Sequence, residues 1–164
     1  LQEKGKVLDY ALFVLNKPVP VCRARRGRIF SIIKLPLRNI RERPWKPIEP
    51  SVDFLSHCSL FGYGTSHKGG PDGQLRRLKN ITVWEGDSGG PFICETEFGE
   101  RIFGIVSHSE PLVESEPSTC FGETSAFLYD VMSDVRKMLP QIQNSLEEMG
   151  KINEFIEDYE KCDF

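Results

Sequence analysis

The apolar residues of this chain come in short runs, at Val7–Val21, Ile29–Leu37, Val52–Gly62, Phe92–Cys94 and Ile102–Ser107, divided by segments rich in Gly, Pro, Ser and Asp. No ten-residue helical pattern lies between them, so the spacing points to an all-β barrel or sandwich of short strands. The first run closes at K-P-V-P-V-C (17–22), which suits a buried strand leaving the core at a Pro-rich corner. By composition T-S-H-K-G-G-P-D-G (65–73) is a loop. After Phe127 the period changes: Val131, Val135, Met138, Ile142, Leu146, Met149, Ile152, Phe155, Ile156 and Tyr159 recur every three or four positions, the mark of an amphipathic helical tail. Pro140 is expected to open a second helical segment there and Gly150 to mark a further break. The seam of this tail either packs on the barrel or receives a second chain.

With 164 residues, 39% apolar and 27% charged, the chain can bury one compact core and carry an appendage. Its longest apolar stretches fall far short of the roughly eighteen residues of a membrane helix, so a soluble chain without a membrane partner is expected. Leu1 follows no leader and reads as a processing product or a chance cut. The five cysteines, Cys22, Cys58, Cys94, Cys120 and Cys162, contain no C-x-x-C and form no ligand pattern with the three histidines. A disulfide set therefore fits better than a metal site, and the odd thiol suits a bond to another chain. Asn80-Ile81-Thr82 is a glycosylation acceptor pattern; with the cysteines it points to a secreted, extracellular protein.

The net charge of -3 hides a division, since residues 1–80 hold 16 Lys/Arg against 6 Asp/Glu and residues 81–164 hold 5 against 18. The basic share concentrates in R-A-R-R-G-R, Arg23 to Arg28, and in R-N-I-R-E-R (38–43). These segments suit a heparin-like polyanion or nucleic acid; alternatively they are solvated loops balanced by the acidic half once the chain folds. Nothing aromatic interleaves the arginines as a single-strand binder requires.

One motif carries chemistry. W-E-G-D-S-G-G-P-F-I-C (84–94) satisfies both G-x-S-x-G and the longer G-D-S-G-G-P. In an α/β-hydrolase elbow the serine leads straight into a helix and is followed by an acid and then a histidine. Here Ser88 runs into G-G-P-F-I-C, a poor helix start, which argues against the elbow. In the longer form a Gly two positions before the serine lets two backbone N–H groups, of Gly86 and Ser88, converge on an oxyanion. Gly89, Gly90 and Pro91 then fix a tight exit into a strand.

Together these residues resemble the serine signature of the chymotrypsin-like serine proteases, and other stretches follow in that family's order. L-D-Y-A-L-F-V-L-N-K-P-V (8–19) is similar to the family's D-I-A-L-L-x-L-x-x-P-V, which gives Asp9 the role of orienting the catalytic histidine. C-S-L-F-G-Y-G (58–64) resembles C-x-x-x-G-W-G and implies a Cys58–Cys94 disulfide. F-G-I-V-S-H-S (103–109) resembles the G-I-V-S-W-G strand that pairs with substrate, and S-A-F-L-Y-D-V-M-S-D-V (125–135) the strand leading into the C-terminal helix. The resemblance covers about residues 7–139. It implies a mostly β fold, the second six-stranded antiparallel barrel of a chymotrypsin-like double β-barrel, with a C-terminal amphipathic helical extension. The expected division is 1–139 for the protease part and 140–164 for the helical extension. The implied activity is peptide-bond hydrolysis through an acyl-enzyme on Ser88, with no cofactor.

That chemistry needs a histidine to take the serine's proton. In the family it stands tens of residues before the aspartate, within A-A-H-C, and that motif is absent here, as is I-V-G-G. His57, His67 and His108 all follow Asp9 and sit in other motifs. The expectation is therefore one part of a two-part protease whose histidine lies on a missing segment or partner chain, with Cys22 at the position that bridges to such a chain. The alternative is a catalytically inactive homologue that serves as a binding or regulatory module. For specificity, Thr82 stands where an aspartate would select Arg or Lys, and Val83, Ser107, His108 and Ser109 are expected to line the pocket with the protein or peptide substrate. Trp84 replaces a cysteine of the family pattern, so Cys120 must pair elsewhere, Cys162 being one candidate.

Overall fold

The computed structural model describes residues 10–17, 19, 24–25, 28–29, 32–49, 54–64, 74–78, 88–111 and 128–160. Its centre is an antiparallel sheet of five strands: β3 (Cys58–Gly62), β4 (Arg76–Leu78), β5 (Pro91–Thr96), β6 (Gly99–Pro111) and β7 (Leu128–Asp134), in the order β4-β3-β5-β6-β7. Two earlier strands, β1 (Ala24–Arg25) and β2 (Arg28–Ile29), form a hairpin and a sheet of their own. Two helices follow the sheet, α1 (Val135–Glu148) and α2 (Ile152–Glu160). The chain is thus mostly β with a helical C-terminus. The described strands of the large sheet number five, where the family resemblance implies a barrel of six.

β6 is the long spine of this sheet because it serves two neighbours in turn. Its first half pairs with β5, from Thr96↔Gly99 to Pro91↔Ile105, and its second half with β7, from Gly104↔Asp134 to Pro111↔Leu128. A β-bulge lies between these halves, where Phe92 faces Gly104 but Ile93 faces Ile102. The extra residue, Phe103, breaks the strict alternation of faces. Phe103, Val106 and the bare face of Gly104 point toward Phe92 and Met132, while Ile102 and Ile105 point toward the helices.

Two buried clusters lie on the two faces. On one side Ile48, Cys58, Leu60, Phe92, Cys94, Phe103 and Val106 pack with Met132, and β5 alternates cleanly, with Phe92 and Cys94 buried. Cys58 and Cys94 oppose each other in the β3–β5 register and form the disulfide that the resemblance implies. On the other side the apolar seam of α1 and α2 closes over Ile102 and Ile105 and is covered by Leu37, Ile40 and Trp45 from an irregular strap, residues 34–48. The tail packs on its own molecule, the first of the two alternatives left open by the sequence.

Two local expectations are corrected. Residues 11–15 of the first run are not a buried strand: they have no strand partner among the described residues, and Leu12, Phe13, Val14 and Leu15 are exposed. An apolar strand needs neighbours on both faces, and none of the described elements supplies them. Pro140 does not divide the tail, because α1 runs through it. It stands close to the helix start, where few intrahelical bonds precede it, and buried Met138, Leu139 and Ile142 hold the helix on either side. Gly150 does break the helix: at φ 65° it allows Lys151 N to donate to Leu146 O (2.8 Å) and its own N to Glu147 O (3.0 Å), a left-handed cap.

Candidate functional site

Ser88 opens the tight turn that precedes β5, and the turn is locked to β6 by backbone. Gly89, at φ 81°, donates its N–H to Val106 O at 2.8 Å, and Val106 N donates back to Gly90 O at 3.0 Å. These two bonds extend the β5–β6 ladder past Pro91, so the serine sits at the end of a rigid element and its side chain remains exposed. Only glycine takes a left-handed φ at little cost, which is why the residue after the serine is Gly89.

The carbonyl that faces this hydroxyl is provided by a second bulge. Val106 faces Met132 while His108 faces Val131, which makes Ser107 the extra residue of β6. Ser88 Oγ donates to Ser107 O at 3.1 Å. That is long for an O–H···O bond, so the tether is weak. A backbone carbonyl accepts a hydrogen bond but does not remove the proton, whereas the chemistry that the resemblance implies needs an imidazole in its place.

No described histidine side chain meets that need. His57 is exposed and ends the short 3-10 turn Phe54–His57. Since Cys58 faces Cys94, His57 lies beyond the end of the β3–β5 pair that is farther from Ser88. His108 and Ser109 are placed as backbone positions of β6, opposite Val131 and Asp130. Asp9, Cys22, His67, Asn80, Thr82, Val83, Gly86, Cys120 and Cys162 lie outside the described residues, as do Arg23 and Arg26 of the basic segment. Of the expected site residues, the structure therefore brings together Ser88 and the Ser107 carbonyl, with His108 and Ser109 next along the strand, and pairs Cys58 with Cys94.

The surroundings rest on contacts the sequence did not announce. Asp134 ends β7 and caps α1: its Oδ1 accepts from Arg136 N and Nε, both at 3.0 Å, and its Oδ2 from the guanidinium at 2.8 Å. This hydrogen bond raises the Arg136 pKa, and the bond to Glu160 raises that of Arg41. A raised folded-state pKa stabilises below the unfolded value and is lost only above it, so neither arginine makes stability pH-dependent near neutrality. Sequence reasoning also missed the strap and the bulge at Ser107. Trp45 between prolines was a signal for a fixed, buried loop; the bulge left none, because Ser107, His108 and Ser109 are all polar and carry no apolar pattern for an extra residue to interrupt. Among the described residues no helix is long and apolar enough to cross a membrane, and no group of three His, Cys, Asp or Glu gathers as a metal site does. No protein-family model, no curated protein and no solved structure matches this chain.

Proposed function

We propose that this chain is the nucleophile-bearing part of a secreted serine endopeptidase of the chymotrypsin-like kind, its sheet belonging to a six-stranded barrel. The observation that carries this reading is the Ser88 turn: an exposed hydroxyl on a glycine-locked turn, fastened by two backbone bonds to the neighbouring strand. Fixed geometry of this sort is what nucleophilic attack requires. In the reaction Ser88 Oγ attacks the peptide carbonyl carbon while a histidine takes its proton, and the N–H groups of Gly86 and Ser88 hold the oxyanion. The C–N bond then breaks, the amine leaves with that proton, and water hydrolyses the ester. Asp9 orients the histidine, which a partner chain or further segment supplies. The uncovered apolar run Leu12–Leu15, with Phe13 80% exposed, supports such a covering partner. The buried Cys58–Cys94 bridge supports an oxidising compartment.

A second reading, an inactive homologue that binds without cleaving, is favoured by the hydroxyl's bond to a carbonyl instead of a base. A fluorophosphonate probe separates the two. The native protein, purified with any disulfide-linked chain, is expected to be labelled at Ser88, and Ser88→Ala to lose the label. Absence of label where a control serine protease reacts leaves the inactive reading in place.

A further inference from the structure

The two basic segments meet different fates in the structure. In R-N-I-R-E-R (38–43), Glu160 accepts from Arg41 Nε at 2.7 Å and from a second guanidinium nitrogen, and Glu147 pairs with Arg43 at 3.2 Å. This segment is balanced by the acidic helices, as one of the two sequence alternatives held. Of R-A-R-R-G-R (23–28), only Ala24, Arg25 and Arg28 are among the described residues. Its residues Ala24–Arg25 and Arg28–Ile29 form the β1–β2 hairpin, whose strands pair with each other and join no further sheet among the described residues. The register sets Arg25 opposite Arg28 and Ala24 opposite Ile29.

That register is unfavourable as it stands. Like charges directly opposed across an antiparallel pair destabilise it, and a two-stranded hairpin alone is marginal in water. Residues 10–41 contain no Asp or Glu, so no carboxylate near in sequence offsets the arginines. An anion shared by the two strands does offset them.

We propose that the β1–β2 hairpin is a binding site for a sulfated polysaccharide, centred on the opposed Arg25 and Arg28. The choice of ligand follows from residue type and size. The segment holds four arginines and no lysine, and guanidinium binds tetrahedral oxyanions through paired N–H donors. Residues 22–29 hold no aromatic ring on which the bases of a single strand stack. Two-residue strands, about 7 Å long, are too short to lie along the major groove of a duplex. Because the whole chain is negative, at -3, a polyanion is attracted by this patch and not by the molecule at large. The proposal does not depend on the reading of Ser88.

The test is titration of the full-length protein with a fluorescent heparin fragment over a series of NaCl concentrations. Wild type is expected to bind, with log affinity falling linearly in log salt. Arg25→Ala/Arg28→Ala is expected to reduce the slope by nearly two and to weaken binding about tenfold or more near 150 mM NaCl. Arg25→Lys/Arg28→Lys keeps the slope and loses part of the affinity, and Arg38→Ala, exposed in the other segment, leaves binding within about twofold. Unchanged thermal unfolding of the variants excludes a folding defect as the cause. The proposal is overturned if wild type fails to bind near 50 mM NaCl, if the double alanine variant binds like wild type, or if single-stranded DNA of equal charge binds more tightly than heparin.

Discussion

At Ser88 the chemistry of a motif depends on its neighbours' backbones. Gly89 gives the turn its left-handed corner, Val106 fastens it from across the ladder, and Ser107, pushed out of register, presents the carbonyl that the hydroxyl meets. A Cβ built on Gly89 meets nothing within 4 Å, so the demand for glycine there is conformational and not steric. Gly89→Ala is therefore expected to destabilise by about 1–2 kcal/mol, and Gly89→Asn by less, since asparagine tolerates the left-handed region. Urea unfolding measures both, and equal losses would contradict the conformational account. Gly104 is the opposite case. Its added Cβ would stand 3.3 Å from Phe92 Cβ and 3.5 Å from Met132 Cβ, so glycine is kept there for space.

Among the elements, α1 shows how burial outweighs local preference. Asp134 caps its start and a left-handed Gly150 its end, of which only the glycine was legible in the sequence, yet the helix also carries Pro140 without breaking. Proline removes the N–H that would reach Arg136 O and crowds that carbonyl. Six buried residues along the same helix, from Val135 to Leu146, more than offset this. Pro140 itself is exposed, so replacing it disturbs no packing. Pro140→Ala should stabilise the protein by about 1–2 kcal/mol, after allowance for the stiffness proline lends the unfolded chain. A thermal melt showing a lower midpoint for this variant would mean that Pro140 holds a contact of its own.

Across the whole molecule, the strap joins regions far apart in sequence. Trp45 is 4% exposed; its N donates to Gln143 Oε1 at 2.8 Å and its indole N–H to Ile40 O at 3.0 Å. Gln143 in turn donates to Glu147, which also binds Arg43, while Tyr159 OH donates to Leu35 O. The ring lies 5.8 Å from that of Phe155 on α2. One side chain thus ties the strap to both helices. Trp45→Ala is expected to cost about 3–5 kcal/mol, read from the denaturant midpoint. Arg41→Ala, which loses only an exposed ion pair, should change stability little. If the two variants lost stability equally, the clasp would be electrostatic.

Strands β3, β5 and β6, the helical tail, the Gly150 break and the Ser88 turn were legible because each is written in neighbouring residues: a short apolar run between turn-rich segments, a 3.6 period, a glycine, a tight G-G-P exit. The Cys58–Cys94 pairing followed from resemblance and not from spacing. The exposed state of Leu12–Leu15, the continuity of α1, the strap over the helices and the bulge at Ser107 were not legible. Each depends on what a distant segment covers, pairs with or leaves uncovered, and apolar patterning records a need for burial without naming the surface that satisfies it.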